Sequence, residues 1–241
     1  MRIGVVSDIH SNLPALRAVL EDMQSVDAVW CLGDFVGYGP WPNECITLLR
    51  DIQAAGIAGN HDVAAIGKIS TVDFNRDAAI ATVWTTGQLT PESTSYLGSL
   101  LPRTEIEGVT LAHGTPREPV WEYLLTDETA RANFGQFSTQ LCLVGHTHIP
   151  SVFVLKEDDT VGLGHMPGGT SYEIGKLRTI ANPGSVGQPR DQDPRAAYLV
   201  YDSERGTLEW KRVAYDIEST QAEMRKAGLP QFFIDRLERG V

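Results

Sequence analysis

The chain has 241 residues, 31 of them acidic and 20 basic, with a formal charge of −11, 42% hydrophobic residues and 21% charged ones. The length allows one large domain or two small ones, and the composition excludes a disordered or fibrous chain. An acidic excess without a Lys/Arg cluster excludes attraction to duplex nucleic acid or an anionic membrane by overall charge. No apolar run reaches membrane-spanning length, and strand-like residues follow Met1 without a basic leader, so a cytoplasmic protein is expected. Cys31, Cys45 and Cys142 lack CxxC spacing and read as packed thiols.

RIGVVSD (2–8) reads as a buried strand, followed by an amphipathic helix in LPALRAVLEDM (13–23) with Pro14 in its first turn. DAVWCLGD (27–34) is a second strand, and PNECITLLRDIQAAG (42–56) a helix ending at Gly56. A short strand is expected in GIAGNHD (56–62), then two helices over 73–101 divided near Pro91. GVTLAHG (108–114) and QLCLVGHTH (140–148) are further strands, separated by a helical segment near 128–137. Strands joined by turns follow: PSVFVLK (150–156), KLRTIANPG (176–184), AAYLVYDS (196–203) and GTLEWKRVAY (206–215). A terminal helical stretch covers 218–237 with a break near Gly228 and Pro230. No repeat or linker is visible, so residues 1–241 are expected to form one mixed α/β domain.

Five of six histidines fall at the ends of these strands: His10, His61, His113, His146 and His148. They occur in SDIH, GNHD, AHG and GHTH, while GDFVG contributes Asp34. Each piece has a plain structural reading. SDIH could be a helix cap and GD a turn, and His165 reads as exposed in a Gly-rich loop. Two imidazoles two residues apart, as in GHTH, are costly to bury unless both are satisfied. Ligands of open α/β sheets gather at the carboxyl ends of strands, so the whole set points to a metal site. Imidazole and carboxylate without thiolate favour Mn, Fe, Zn, Ni or Co.

The ordered set DxH, GDxxG, GNHD, a single His beside Gly, and GHTH resembles the calcineurin-like metallophosphoesterase superfamily. NPGSVGQPRD (182–191) is similar to its small bacterial and archaeal phosphodiesterase branch. The resemblance implies two mixed β-sheets packed as a sandwich and flanked by helices on both sides. It implies two divalent transition-metal ions, one held by Asp8, His10, Asp34 and His148. The second would be held by Asp34, Asn60, His113 and His146, with Asp34 bridging. Such ions would create a cationic pit in an acidic protein. The implied reaction is hydrolysis of a small or nucleotide-like phosphodiester by in-line attack of a hydroxide bridging ions about 3.5–4 Å apart. His61 is then the candidate general acid or transition-state stabiliser, with a role in orienting a ligand as the alternative.

One departure bears on substrate. The superfamily's phosphoprotein phosphatases carry an aspartate three residues after the bridging one, followed by an arginine. Gly37 and Tyr38 stand there in this chain, which disfavours a phosphoprotein substrate and leaves the partner of His61 open. Dinucleoside polyphosphate hydrolysis and phosphoprotein dephosphorylation are the enzymatic alternatives. A non-catalytic scaffold would be expected to lack ligands that are present here. Secondary substrate-binding candidates are Asn12, which equally suits a helix cap, and Gly184, Ser185 and Arg190. Arg190 could instead pair with Asp191 or Asp193. The pocket walls are expected from residues 62–105 and 164–193.

Overall fold

Residues 1–23 and 25–241 are described by the structure, a computed structural model. Among the described residues, twelve strands form two six-stranded sheets. The first comprises β1 (Arg2–Val6), β2 (Ala28–Cys31), β3 (Ala55–Gly56), β9 (Ser171–Glu173), β11 (Ala196–Asp202) and β12 (Thr207–Val213), in the order β3-β2-β1-β11-β12-β9. The second comprises β4 (Arg103–Ile106), β5 (Val109–Ala112), β6 (Leu141–Val144), β7 (Ser151–Leu155), β8 (Val161–His165) and β10 (Thr179–Asn182), in the order β4-β5-β6-β10-β7-β8.

Period-two alternation assigns each strand's side chains to two cores. Ile3, Val5, Leu199, Leu208 and Trp210 of one sheet meet Val109, Leu111, Leu141 and Leu143 of the other in the central layer. The intervening Val6, Tyr198 and Val200 face outward onto α1 (Leu13–Asp22) and α2 (Pro42–Asp51) through Leu16, Val19, Ile46 and Leu49. On the far side, Cys142, Val144 and Phe153 pack against Ala130 and Phe134 of α6 (Asp127–Phe134). Full burial of each such large apolar side chain stabilises by about 1.5–3 kcal/mol. The expected sandwich with helices on both sides is the observed architecture.

Several boundaries differ from the sequence reading. The second helix stops at Asp51, because Gln53 turns left-handed at φ 55°, and Ala55–Gly56 joins the sheet beside β2. GNHD is not strand: Asn60 opens the short α3 (Asn60–Ala65), with the Asp62 carboxylate accepting the Gly59 N–H at 2.9 Å. The unanticipated β4 pairs with β5 across Glu107 and Gly108, both at positive φ, the turn geometry that suits a tight hairpin. β8 and β9 also went unanticipated, since two of the five residues of VGLGH are glycine and SYE is a three-residue edge strand.

Helices α4 (Arg76–Gln88) and α5 (Pro91–Ser99) divide at Pro91 as expected. α7 (Ile217–Lys226) and α8 (Gln231–Leu237) are separated at Gly228 and Pro230. Met224, Phe233 and Leu237 of these last helices cluster with Ala78 and Ala81 of α4 around Tyr38. The three cysteines are buried and free. No helix among the described residues is long and apolar enough to cross a membrane.

Candidate metal centre

Parallel pairing aims the carboxyl ends of β1, β2 and β3, and of β5 and β6, toward one region. Asp8 and His10 follow β1, Asp34 follows β2, Asn60 follows β3, His113 follows β5, and His146 and His148 follow β6. Strand alternation is not what joins Asp8 to His10 or His146 to His148, because β1 ends at Val6 and β6 at Val144. These four residues and Asp34 instead occupy the left-handed region, at φ between 48° and 65°. Such backbone is sparsely populated for non-glycine residues and clusters at functional sites. Hydrogen bonds hold it: the amides of Asp8 and His10 donate to the carbonyls of Gly33 and Asp34 at 3.0 and 2.9 Å. Gly59 is required by close approach, since a Cβ there would stand 2.1 Å from Asp34 Oδ1.

The seven side chains converge and are all at most 3% exposed. Asp8, His10 and His148 bring one ligand atom each within 4.8 Å of one another, as do Asp34, His113 and His146. His10, Asp34 and His61 form a third such trio, and Asn60 Oδ1 lies 3.1 Å from His113 Nε2. Asp34 Oδ2 stands 3.5 Å from both His10 Nε2 and His113 Nε2, placing this carboxylate between the groups.

Whether these residues fit a cation is decided by the hydrogen bonds they lack. Asp8 Oδ1 and Asp34 Oδ2 are buried without a hydrogen-bond partner, whereas their second oxygens are satisfied. Asp8 Oδ2 accepts from Ser7 Oγ at 2.6 Å and from the His146 amide at 3.0 Å, and Asp34 Oδ1 accepts from the His61 amide at 2.9 Å. Two buried carboxylate oxygens left bare are costly unless a cation meets them.

The imidazoles tell the same story. The outer nitrogens of His10, His113 and His148 donate to the carbonyls of Val36, Leu32 and Gln188, and His146 Nε2 donates to Trp121 O at 3.1 Å. That arrangement turns the second nitrogen of each ring inward, the orientation of metal-bound histidine. His10 Nε2 and His148 Nε2 then face each other at 3.1 Å, lone pair to lone pair. A divalent cation resolves the conflict, and the donor set suits one.

The description "Calcineurin-like phosphoesterase superfamily domain" matches residues 1–206. The chain belongs to this superfamily. A metallophosphoesterase from Sphaerobacter thermophilus is 46% identical with a TM-score of 0.91, the alignment covering 100% of this chain and 99% of that one. MJ0912, an uncharacterized protein of Methanocaldococcus jannaschii, is 40% identical over 99% of this chain and 98% of its own length. A hypothetical protein of Pyrococcus horikoshii, PH1004, shares the fold at a TM-score of 0.83 with 19% identity, covering 100% and 98% of the two chains.

In this phosphoesterase the histidine of GNHD is met by Tyr38, a residue that the motif reading noted only as standing in place of an arginine. His61 Nε2 and Tyr38 Oη are 2.9 Å apart and share a hydrogen bond. Burial pushes the Tyr38 phenol up to about 12 and holds the His61 imidazole down to about 4. Tyr38 has φ 55°, as strained as the metal-ligand candidates, and stacks on Phe233 at 4.2 Å between centroids. The face of His61 that an acidic residue at position 37 would approach is closed: a Cβ on Gly37 would lie 2.7 Å from His61 Nδ1. The readable signal for Tyr38 was its place directly behind GDFVG.

A cavity of about 140 Å³ opens over Asp34, Asn60, His61, His146 and His148. Its walls include Asp73, Phe74 and Asn75, within the expected 62–105, and Arg190, within 164–193. Trp121 and Tyr123, from the connection after β5, complete it and lay outside the expected wall. Phe74 packs edge-on against both Trp121 and His61, at 5.1 and 4.9 Å.

Three substrate-binding candidates are absent from that wall. Asn12 caps α1, its Oδ1 accepting from the Ala15 amide, while its Nδ2 donates to Gly187 O at 2.9 Å. Ser185 Oγ donates to Asp8 O at 2.8 Å and is fully buried. Gly184 turns at φ 83° against Pro150 and Ala197. Asn12 and Ser185 brace the Asp8 loop, and none of the three lines the cavity. His165 is exposed on β8, away from the cavity wall.

Proposed function

We propose that this chain is a two-ion phosphodiesterase that hydrolyses a small or nucleotide-like phosphodiester. The observation that carries the reading is the pair of buried, bare carboxylate oxygens, Asp8 Oδ1 and Asp34 Oδ2, each ringed by inward-facing imidazoles. Asp8, His10, Asp34 and His148 would hold one divalent ion, and Asp34, Asn60, His113 and His146 the other. Ions so placed supply Lewis acidity to phosphoryl oxygens and acidify a shared water. His61, in the cavity wall and tied to Tyr38, would stabilise or protonate the leaving oxygen.

Gly37 leaves no room for the aspartate of the phosphoprotein phosphatases, and Tyr38 stands at the sequence position of their arginine. The loss of an arginine at that position suits a diester, which carries one charge less at the scissile group than a monoester. Three free buried thiols fit a reducing compartment, so we read the enzyme as cytoplasmic, and residues 1–241 as one functional domain.

The test is hydrolysis of bis(p-nitrophenyl) phosphate with Mn²⁺, after chelation, and by His61→Ala, alongside metal analysis of the purified protein. Metal-dependent turnover with two ions per chain is expected. Turnover indifferent to chelation, or none with any of Mn, Fe, Zn, Ni and Co, overturns the reading.

A further inference from the structure

Beside the cavity stands a pair of arginines that, among the described residues, no side-chain carboxylate neutralises. Arg190 lines the cavity. Its neighbours Asp191 and Asp193, the partners available in sequence, are taken elsewhere: Asp191 by Arg212, and Asp193 by Arg195 at 2.7 Å and Arg212 at 3.8 Å. Arg190 instead donates from Nη2 to Gln188 Oε1 at 3.2 Å, and Arg236 of α8 donates from Nη1 to that same oxygen, also at 3.2 Å. Arg236 Nε donates to a main-chain oxygen of Val241, the last residue of the chain. Among the described residues, two guanidinium groups thus converge on one neutral amide oxygen.

Two further atoms mark what is missing. Arg190 Nε is buried with no hydrogen-bond partner, and so is the Nε2 of Gln188, a residue 1% exposed. Both are donors, so what would satisfy them is an acceptor. The like charges oppose each other as well. Burial and the Arg190 charge pull Arg236 down to about 10, a tension that an anion between them would reverse. The pair is joined to the metal centre through a single residue, because the Gln188 carbonyl accepts from His148 Nδ1 at 2.6 Å. Arg236 also lies beyond residues 1–206, on a helix held in place by Phe233 against Tyr38.

We propose that Arg190, Arg236 and the Gln188 amide form an anion subsite for a second phosphate on the substrate, next to the phosphodiester being cleaved. The preferred substrates are then nucleotide-like diesters that carry an additional phosphate. This deepens the phosphodiesterase reading and rests on it for the position of the scissile group.

The experiment compares two diesters with one leaving group on the Mn²⁺-loaded protein: the p-nitrophenyl ester of thymidine 5′-phosphate, and the same ester carrying a 3′-phosphate. A preference in kcat/KM of about tenfold or more for the doubly phosphorylated ester is expected, falling at least about fivefold in Arg236→Gln and Arg190→Gln and partly kept in Arg236→Lys. Inorganic pyrophosphate binding to the chelated protein, followed by titration calorimetry, is read in parallel and should weaken by a similar factor. Circular dichroism of each variant checks that the fold survives. A wild-type preference below twofold, or one undiminished in Arg236→Gln, overturns the subsite. Absence of metal-dependent turnover of either ester strikes the phosphodiesterase reading instead. In that case pyrophosphate binding that is undetectable, or unchanged in both variants, still overturns the subsite, and binding that weakens supports it.

Discussion

Tyr38 and Gly37 show how two adjacent residues set the surroundings of His61. The imidazole has a phenol at Nε2 and, at Nδ1, a glycine too close to bear a side chain. Tyr38→Phe removes the hydroxyl and keeps the stack on Phe233. Turnover should fall about 10- to 100-fold, and more for an alkyl than for a p-nitrophenyl leaving group, because only the former needs a proton. Steady-state kinetics on the two diesters checks this; an equal loss on both would assign Tyr38 to packing alone. Gly37→Asp should lose activity, although it recreates the phosphatase motif, because φ at 37 is 97° and the new Cβ meets the ring. The metal-ligand candidates were legible because each is a polar residue stranded behind an apolar run. Tyr38 was not, because its meeting with His61 spans 23 positions and depends on its left-handed backbone.

At the scale of elements, the loop after β5 has a function that its sequence did not announce. Residues 113–126 bring Trp121 O to His146 and Tyr123 to within 4.0 Å of the same ring, centroid to centroid. Glu122 organises this loop, accepting from Thr115 Oγ1 at 2.6 Å, from Asn133 Nδ2 at 2.9 Å and from Arg117. Partial burial opposes the Glu122 charge, but these donors outweigh it and hold the carboxyl down at about 2. A carboxyl depressed on folding stabilises above its unfolded value near 4.3, and that contribution is lost as pH falls toward about 2. Glu122→Gln should therefore lower stability by about 1–2 kcal/mol at pH 7. In urea denaturation the gap from wild type should narrow as pH drops from 5 to 2; a gap constant with pH would show that the charge is irrelevant. Asn12 makes the complementary case. As a cap also bonded to Gly187, its change to Ala should destabilise by about 1–3 kcal/mol in the same measurement.

Across the whole molecule, an acidic chain buries five histidines and two carboxylates, each with one bare oxygen, at one end of its sandwich, so the fold and a bound metal would share one free-energy balance. A ligand that binds only the native state stabilises it by mass action, about 2.7 kcal/mol at a hundredfold excess over its Kd. Mn²⁺ should raise the Tm of chelated protein by several degrees, and Asp34→Asn, which alters the carboxylate between the two groups, should abolish most of that rise. Differential scanning calorimetry decides it. A rise preserved in Asp34→Asn would place the ion elsewhere.

By itself the sequence determined the alternation of strand and helix, a mixed α/β class and the strings that carry metal-type ligands, and the two-sheet sandwich was what the resemblance of those strings implied. Those are local properties, set by hydrophobic period and by residues with no business behind an apolar strand. The tertiary structure decided the rest. Left-handed turns, not strand alternation, bring Asp8 to His10. The backbone carbonyls of Leu32, Val36, Trp121 and Gln188 turn the rings inward. Asn12 and Ser185 brace a loop and Gly184 turns beside Pro150, none of them lining the cavity, while Arg190 finds no carboxylate among the described residues and meets Arg236 from the last helix. Each of these depends on contacts between positions far apart in the chain, and no local pattern encodes which distant hydrogen-bond partner a side chain will find.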